Sequence, residues 1–566
     1  MNSFKLHKKI IFLAGLFLFL SVQFASATNF SDVVNFNVDS SFDALGRSQI
    51  TAVLLETSPK LYIYVDKSWW DAKLQSDKEV TLANLGALST EFENNIYPTL
   101  TSVFGSEWKP GVDGNERVTL LFEPMNSNEG GYFRTTDEYI KLQLPESNER
   151  EMVYLSIDQI NSSKAKVVLA HEFMHLITFN QKNKILGIDE EVWLNEARAD
   201  YSSNILGYDN DYHGSNLQSR VRDFVENPSD SITEWKGTKY DYASASLFAH
   251  YLVDHFGITV LSDSLKSKYV GIESINYALE KMGYEERFPE IFTDWTVAAV
   301  VNDCSLGFKY CYLNKNLTNF RLSPALNFLP VTGNVSLSVT NVTKNWSGNW
   351  LKFIGGNGDL KFGFSSLAGI NFQVPYILEN KFGEQFFKFL VLNSKEKGEI
   401  SVPDFGTDYK SLIVIPSLQT KISGFDGLEF TYPFTYSVSI TGSEVVEDQA
   451  LIQKLLDQIA YLKAEIAKLL GTLPDGQTSC EQLNSNLSIG MSNDDVSCLQ
   501  TFLKSQGSDI YPEGLVTGYF GSLTKNAVIR FQQKYASEVL SPLELYYGTG
   551  YVGVLTRAKI NQLLTK

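Results

Sequence analysis

A pair of histidines at helical spacing is the feature of the sequence that indicates chemistry most directly. His171 and His175 enclose Glu172 in the run His-Glu-Phe-Met-His. Because four residues are about one turn of an α-helix, both imidazoles leave the same face and can bind one metal ion. The carboxylate of Glu172 lies beside them, where it can accept a proton from a metal-bound water. The spacing therefore predicts a zinc site able to activate water.

The residues around this motif are typical of a helix. Ser162 or Ser163 can cap its start and Gly187 can end it, with apolar residues between them to bury one face. The chain has only six histidines, and two of them stand in this motif. The alternative is a solvated helix face that carries two histidines by chance.

A catalytic zinc site needs a third protein ligand and an open position for water. The extended pattern with a glycine and a third histidine is excluded, since Thr178 and Gln181 stand at those positions. A second helical segment carries Glu196 and Asp200, which are four residues apart and share a face. One of these carboxylates can bind zinc while the other accepts a hydrogen bond from a ligand histidine.

The stretch that holds these carboxylates reads Asn-Glu-x-x-x-Asp, with Asn195, Glu196 and Asp200 in the named positions. It resembles the third-ligand stretch of the glutamate-zincins (gluzincins). The resemblance implies zinc on Glu196, with Asn195 and Asp200 in the surrounding shell and Asp200 against His171. Two nearby carboxylates are rival ligands: Glu190 and Glu191.

Two further stretches, residues 147–154 and 292–295, resemble the hyicolysin family of secreted bacterial metallopeptidases. This resemblance covers most of residues 50–315 and implies a gluzincin-type catalytic domain similar to thermolysin. The residue patterns themselves predict a β-rich first part and a mostly helical second part, residues 158–317. Gly131 and Tyr132 would then lie on an edge strand that pairs with extended substrate. An ordinary turn is the alternative for these two residues.

A peptidase also needs a group that stabilises the oxyanion on the scissile carbonyl. Gluzincins supply it from a tyrosine or histidine beyond the third ligand, so the resemblance offers Tyr240, Tyr242 and His213. We predict Tyr242, which directly precedes a helix with apolar residues at Phe248 and Leu252. Packing without a catalytic role is the alternative for this tyrosine.

The first 27 residues are typical of a secretory leader. Lysines at positions 5, 8 and 9 precede an apolar run, Ile10–Leu20, and small residues follow at 25–27. The alternative is an uncleaved membrane anchor, although the apolar run is short for a spanning helix. The leader predicts a secreted protein.

The formal net charge of -17 bears on the class of partner. So acidic a surface repels nucleic acid, which argues against a nucleic-acid partner. Solubility is the simplest explanation of the acidity.

Four cysteines form two local pairs, Cys304 with Cys311 and Cys480 with Cys498, and in an exported protein they predict two disulfides.

Changes of pattern along the chain predict a multidomain α+β protein. Residues 28–318 are predicted to be the metallopeptidase domain. Residues 319–445 alternate apolar and polar side chains and predict a β-sandwich, with a spacer or substrate-docking role. Residues 446–472 predict a linker helix or a coiled coil. Isoleucine and leucine at heptad spacing within 452–469 favour a two-stranded coiled coil and thus a homodimer, but the stretch is short enough for a lone helix.

The last segment, residues 478–566, contains a repeat. Gly-Tyr-Phe-Gly-Ser-Leu-Thr at 518–524 returns as Gly-Tyr-Val-Gly-Val-Leu-Thr at 550–556, and each copy predicts a glycine turn that opens a helix. The segment resembles the peptidoglycan-binding-domain-1 family, which implies a small helical domain that binds peptidoglycan. It departs from that family at 545–547, and a packing domain without a ligand is the alternative. Further residues that carry the resemblance are Asp495, Leu499, Gln500, Phe531 and Gln532.

The sequence therefore predicts a secreted zinc endopeptidase that acts on peptide or protein substrates and is held at the cell wall by its C-terminal module. One alternative is a wall-lytic peptidase that cuts peptidoglycan cross-links, and another is a catalytically inactive surface-binding protein. The predicted cofactor is one zinc ion. The acidic run at 209–211 is suggestive of calcium but has no other support, because such loops are usually solvated.

Overall fold

The computed structural model describes residues 32–127, 130–331, 334–442, 480, 482–543 and 545–564. Two compact units are separated between residues 445 and 446. The predicted leader at 1–27 and the predicted linker helix at 446–472, with its dimerisation stretch 452–469, lie outside the described residues. Among the described helices, none combines the length and the apolar character needed to cross a membrane.

A six-stranded sheet forms the first layer of the N-terminal unit, with strand order β1-β2-β3-β4-β6-β5. Its central strands β3, β4 and β6 are parallel, and β5 pairs antiparallel with β6 at the edge. The strands β4 and β6 are buried along their whole length, as expected for parallel strands covered on both faces. The strands are β1 (Val33–Asn37), β2 (Gln49–Thr57), β3 (Leu61–Asp66), β4 (Val118–Glu123), β5 (Gly131–Phe133) and β6 (Met152–Ser156).

Ten α-helices are described in the same unit. They are α1 (Lys67–Asp71), α2 (Gln75–Glu91), α3 (Tyr97–Phe104), α4 (Ala165–Thr178), α5 (Val192–Ile205), α6 (Asn216–Glu226), α7 (Lys239–Phe256), α8 (Thr259–Leu265), α9 (Gly271–Lys281) and α10 (Phe288–Val301). Aromatic packing joins α4 to the junction between α2 and α3. The ring centre of Phe173 lies 5.1 Å from that of Phe92 and 5.5 Å from that of Tyr97. These contacts hold the histidine-bearing helix in the apolar core.

The ends of α4 differ in part from the sequence prediction. Its N-cap residue is Lys164, without a side-chain cap, and Ser162 instead accepts the backbone N–H of Lys164 at 3.1 Å. The predicted serine N-cap is therefore wrong. At the other end a π-helical turn, Phe179–Lys184, extends the helix towards Gly187, whose φ of +70° favours glycine.

The strands from Ala325 to Gly442 form what we call the β segment. Nine of them make one continuous sheet, and β11 pairs with β16 separately. They share an apolar core that includes Phe353, Phe362 and Tyr436. The strands are β7 (Ala325–Leu329), β8 (Val335–Thr343), β9 (Leu351–Gly355), β10 (Gly358–Ser366), β11 (Phe372–Gln373), β12 (Pro375–Asn380), β13 (Gln385–Phe389), β14 (Lys397–Phe405), β15 (Tyr409–Val414), β16 (Ser417–Leu418) and β17 (Tyr432–Gly442).

Two tryptophans fasten the β segment to the helices. The buried ring of Trp346 lies 4.9 Å from Phe288 and 5.4 Å from Phe292. The indole N–H of Trp350 donates to the carbonyl of Thr296 at 2.8 Å. Part of the β segment therefore joins the core of the helices, beside the separate core that its strands enclose. The boundary at residues 318 and 319 stays a prediction.

The C-terminal unit has four described α-helices and its own core. They are α11 (Asp494–Ser505), α12 (Ser522–Lys534), α13 (Ala536–Val539) and α14 (Val554–Leu564). Both predicted disulfides are confirmed, Cys304–Cys311 in the N-terminal unit and Cys480–Cys498 in this one.

The sequence repeat of the C-terminal unit is also a repeat of hydrogen bonds. The amide of Gln500 donates to the carbonyl of Tyr519 at 2.7 Å, and that of Gln532 donates to Tyr551 at 2.8 Å. In return, each Gln side-chain oxygen accepts a backbone N–H of a glycine turn. In both copies of the repeat, a glutamine on a helix therefore holds the glycine turn that follows that helix.

Candidate active site

Helices α4 and α5 pack together and bring three side chains to one point. The metal-binding atoms of His171, His175 and Glu196 all lie within 4.8 Å of one another. A carboxylate oxygen of Glu196 lies 3.1 Å from Nε2 of His171, and the other lies 3.6 Å from Nε2 of His175. Two imidazole nitrogens and one carboxylate form a donor set that suits a catalytic zinc ion.

The charge state of Glu196 also suits a metal ligand. Burial alone would raise the pKa of this carboxyl group, but the imidazoles of His175 and His171 hold the pKa far below its usual range. Glu196 is therefore an anion throughout the ordinary pH range, and a carboxylate must be deprotonated to bind a metal.

The rival carboxylates are engaged elsewhere. Glu190 pairs with Arg198 at 2.7 Å. Glu191 accepts the indole N–H of Trp193 at 2.7 Å and the backbone N–H of Gly424 at 2.9 Å. Both glutamates thus anchor the start of α5.

Asn195 lies behind one of the histidines. Its side-chain oxygen is 3.2 Å from Nδ1 of His175. If Nδ1 carries the proton and donates it to this oxygen, Nε2 is left free to bind a metal ion. The structure therefore brings Asn195 to the position of an orienting partner.

Asp200 has other partners than the expected one. Its carboxylate accepts hydrogen bonds from the guanidinium of Arg220 at 2.7 Å and from the amide of Asn216 at 2.8 Å. Burial alone would raise the pKa of Asp200, but the Arg220 guanidinium holds it below the usual value, and the charge of His171 acts in the same direction. The resemblance placed Asp200 directly against His171, whereas these hydrogen bonds go to α6.

Glu172 lies on the buried side of the cleft, with 6% of its surface exposed. Burial raises the pKa of this carboxyl group, and the neighbouring imidazoles of His171 and His175 oppose that increase. Gly131 approaches it closely: a Cβ atom at position 131 would lie 3.2 Å from Cγ of Glu172 and 2.6 Å from the carbonyl oxygen of Tyr154. Only glycine leaves room for β5 to pass so near the carboxylate.

A cleft of about 420 Å³ opens over these residues. It collects predicted residues from four separate elements: β5, α4, α5 and α7. The predicted residues in its lining are Gly131, His171, Glu172, Asp200 and Tyr242.

Tyr242 lies inside α7, which begins at Lys239, so the prediction that this tyrosine precedes the helix is wrong. Its ring centre lies 6.2 Å from that of His171. Burial raises its pKa, as do the carboxylates of Glu196 and Glu172, so the phenol keeps its proton. The two other oxyanion candidates lie apart from the cleft lining. Tyr240 donates to Glu226 at 2.8 Å near the surface, and His213 is exposed.

The predicted edge strand is the edge of the first sheet, because β6 is its one pairing partner among the described strands. Gly131 lines the cleft, whereas the buried side chain of Tyr132 stacks on Tyr154 with ring centres 4.3 Å apart. The hydroxyl of Tyr132 donates to Glu123 at 2.5 Å. Tyr132 thus packs in the sheet, and only its backbone lies on the edge strand.

The acidic run at 209–211 is occupied by local hydrogen bonds. Asp209 is buried and accepts the backbone N–H of Leu217, in the first turn of α6, at 3.2 Å. Asp211 accepts the backbone N–H of His213 at 3.3 Å. These bonds explain the acidic residues as loop anchors, and calcium stays without support.

Comparison with known proteins gives a match to a curated protein and a match to a protein family. The chain is 28% identical over 201 residues to the "Neutral metalloprotease ShpI" of Staphylococcus hyicus, a match that covers 31% of this chain and 43% of that protein. Residues 492–539 match the family described as "Putative peptidoglycan binding domain". The predicted resemblances to the hyicolysin family and to the peptidoglycan-binding-domain-1 family are confirmed. The match to the metalloprotease spans less than half of that protein's length.

Solved structures also match parts of the chain. A periplasmic inhibitor of g-type lysozyme from Aeromonas hydrophila is 8% identical, with a TM-score of 0.15, and covers 21% of this chain and 100% of its own. The pre-peptidase C-terminal domain of a Bacillus anthracis collagenase is 10% identical, with a TM-score of 0.14, and covers 20% of this chain and 96% of its own.

Sequence reasoning missed three residues around the cleft: Asn216, Arg220 and Trp235. Arg220 and Asn216 bind Asp200, and the guanidinium of Arg220 lies 4.8 Å from the ring centre of Tyr242. Trp235 packs edge-on against the same ring at 4.8 Å. Arg220 is half-buried, and the sequence alone does not distinguish it from the exposed Arg222 two residues away.

Proposed function

We propose that this chain is a zinc-dependent endopeptidase that is exported and held at the cell wall by its C-terminal unit. The observation that carries the proposal is the convergence of His171, His175 and Glu196 beside a cleft whose lining includes His171 and Glu172. Similarity to a neutral metalloprotease supports it. Since that match covers under half of the relative, the activity of the whole chain rests on the site.

Three side chains would hold the zinc ion: His171 and His175 through Nε2 and Glu196 through its carboxylate. When bound, zinc would acidify a water molecule and polarise the scissile carbonyl. Asn195 keeps the imidazole of His175 in the tautomer that binds metal. This arrangement corresponds to a gluzincin-type site.

Glu172 acts as the general base in this proposal. Its carboxylate accepts the proton of the attacking water and then delivers that proton to the leaving amine. Tyr242 keeps its phenolic proton and donates it in a hydrogen bond to the oxyanion that develops on the carbonyl. The exposed backbone edge at Gly131 would pair with an extended substrate.

The experiment that tests this function compares the zinc-loaded chain with its Glu172→Gln variant. We expect both proteins to bind one zinc ion, and the variant to lose casein cleavage by at least about a hundredfold, because a general base contributes roughly 10²- to 10⁴-fold. Metal analysis and a casein assay provide the two readouts. Residual cleavage near the wild-type rate, or a wild-type protein without zinc, would contradict the proposal.

A second candidate function is a wall-lytic peptidase that cuts peptidoglycan cross-links. The match of residues 492–539 to a peptidoglycan-binding family favours it, because the C-terminal unit would bring the cleft to such a substrate. Incubation with casein and with purified cell wall separates the two functions. Release of cross-link peptides from the wall, with casein left intact, would favour this second candidate.

A third candidate is an inactive surface-binding protein. It conflicts with the complete set of Glu172 and three converging metal ligands. An inactive protein has no use for a general base beside a metal site. Zinc bound in a one-to-one ratio, together with cleavage of either substrate, would exclude it.

A further inference from the structure

The loop between α6 and α7, residues 227–238, forms part of the cleft wall. Gly237 lines the cleft, and α7 with Tyr242 begins directly after the loop. The stretch from Ser231 to Glu234 is buried although it belongs to no helix or strand. Buried backbone groups need hydrogen-bond partners, so this loop depends on whatever supplies them.

The β segment supplies partners for the backbone of this loop. The N–H of Ile232 donates to the carbonyl of Trp346 at 3.0 Å, and the N–H of Trp235 donates to the carbonyl of Gly427 at 3.2 Å. These two bonds fix the loop on both sides of Glu234. Trp346 is itself buried against α10, so the support is rigid.

The β segment also neutralises the charge of the loop. Glu234 is fully buried, and its carboxylate pairs with Lys344 of the β segment and with Lys236 of the loop, the latter at 2.8 Å. The backbone N–H of Glu429 donates to the same carboxylate at 3.1 Å. Removal of Lys344 takes away one of the two lysines that pair with this buried carboxylate, so it should destabilise the carboxylate and loosen the loop.

Trp235 connects this support to the reaction centre. Its ring packs edge-on against the ring of Tyr242 at 4.8 Å, and Arg220 lies over the Tyr242 ring at 4.8 Å. The Tyr242 ring in turn lies 6.2 Å from His171. The phenol is therefore fixed between two side chains, one of which is held by the β segment.

We propose that the β segment is a working part of the catalytic cleft and that Trp235 is a positioning residue. The β segment holds the loop, the loop holds Trp235, and Trp235 sets the place of the Tyr242 hydroxyl. This inference rests on the proposed function, in which that hydroxyl meets the oxyanion. It assigns the β segment a role other than a spacer or a separate docking module.

The first test compares Trp235→Ala and Trp235→Phe in the full, zinc-loaded chain. Displacing a catalytic group by about 1 Å can cost roughly a hundredfold, so we expect Trp235→Ala to lower kcat by about ten- to a hundredfold. KM and zinc content should stay unchanged, since the loss affects the transition state. Trp235→Phe should restore most of kcat, because its ring can still support Tyr242.

The second test does not depend on activity. Lys344→Met should speed hydrogen exchange of the backbone amides at 231–242, and the matched Lys381→Met should not, because Lys381 pairs with Asp408 within the β segment. Unchanged exchange in Lys344→Met, or unchanged kcat in Trp235→Ala, would overturn the inference. If the wild type cleaves nothing while the loop responds as expected, the peptidase proposal fails and the support of the loop stands.

Discussion

The two walls of the cleft are built in different ways. One wall is α4 with α5, where the three proposed metal ligands and the proposed general base lie within 26 residues of the chain, from His171 to Glu196. The opposite wall consists of α6, the 227–238 loop and α7, and its Tyr242 is held by Arg220 and Trp235. The first wall is local in sequence, whereas the second depends on the β segment, more than a hundred residues away. Binding the metal and shaping the reaction can therefore fail separately.

The largest effect should come from the local wall. Glu196→Ala removes one of three metal ligands, so we expect zinc binding and peptide cleavage both to be lost. Metal analysis after dialysis and a casein assay measure the two losses. The exposed Glu273→Ala in α9 is the control and should keep both properties. A variant at position 196 that retained zinc and activity would remove Glu196 from the site.

The opposite wall should show a loss of rate without a loss of metal. Tyr242→Phe removes only the donating hydroxyl, and loss of an oxyanion donor costs roughly 10²- to 10³-fold in kcat. We expect that loss with a normal zinc content. Tyr240→Phe, two residues away at the surface, should keep the wild-type kcat. If both variants are equally active, the oxyanion donor lies elsewhere.

A smaller effect should follow from the residue behind His175. Asn195→Ala removes the hydrogen bond to Nδ1, and loss of such an orienting partner lowers metal affinity by about 10- to 100-fold. Competition with a zinc chelator measures this change. Asn204→Ala, on the same helix, should leave zinc affinity unaltered. Equal affinities in the two variants would show that Asn195 does not orient the ligand.

The smallest effect concerns the far end of α7, which carries the opposite wall. Asp254 accepts the backbone N–H groups of Leu313 and Asn314, and burial raises its pKa to about 6. The folded-state pKa of Asp254 lies above its unfolded value. Asp254 therefore contributes its full stabilisation of the folded protein below about pH 4, and this contribution is lost as the pH rises through 6. The loss is at most about 3 kcal/mol.

The measurement is denaturant unfolding of the wild type and Asp254→Asn at pH 4 and pH 7. We expect the stability of the wild type relative to the variant to fall between these two values, because only the wild type gains a buried charge. The zinc content should not differ between them. A stability difference between wild type and variant that is the same at both pH values would show that ionisation of Asp254 does not destabilise the fold.

The sequence allowed the local wall to be predicted far better than the opposite one. His171, Glu172 and His175 are set by helical spacing, and the Asn-Glu-x-x-x-Asp stretch brought Asn195 and Glu196 to their places near them. The partners of Asp200 were not predictable, because its hydrogen bonds with Arg220 and Asn216 require the fold of α6 over α5. A pattern records spacing along one helix, but not which helix lies across from it.

The same difference holds for the fold. Alternation predicted the strands of residues 319–445 as a group, yet nothing in that alternation indicated that Trp346 and Trp350 pack into the helical core. Conversely, the repeated glycine turns of the C-terminal unit were visible in the sequence. Positions 518 and 550 have φ angles of +72° and +74°, which favour glycine because it has no side chain. Backbone constraints leave marks in a sequence, and long-range packing leaves few.

The contacts of Glu234 with Lys344 and Glu429 have a consequence for the order in which the parts of the cleft are synthesised. A ribosome makes the histidine helix first and the β segment well over a hundred residues later. Until residue 429 has emerged, the 227–238 loop lacks the partners that fix it. In the proposed peptidase, the residues that would bind the metal are therefore synthesised before the β-segment residues that hold the wall with Tyr242, and full activity would have to wait for those later residues.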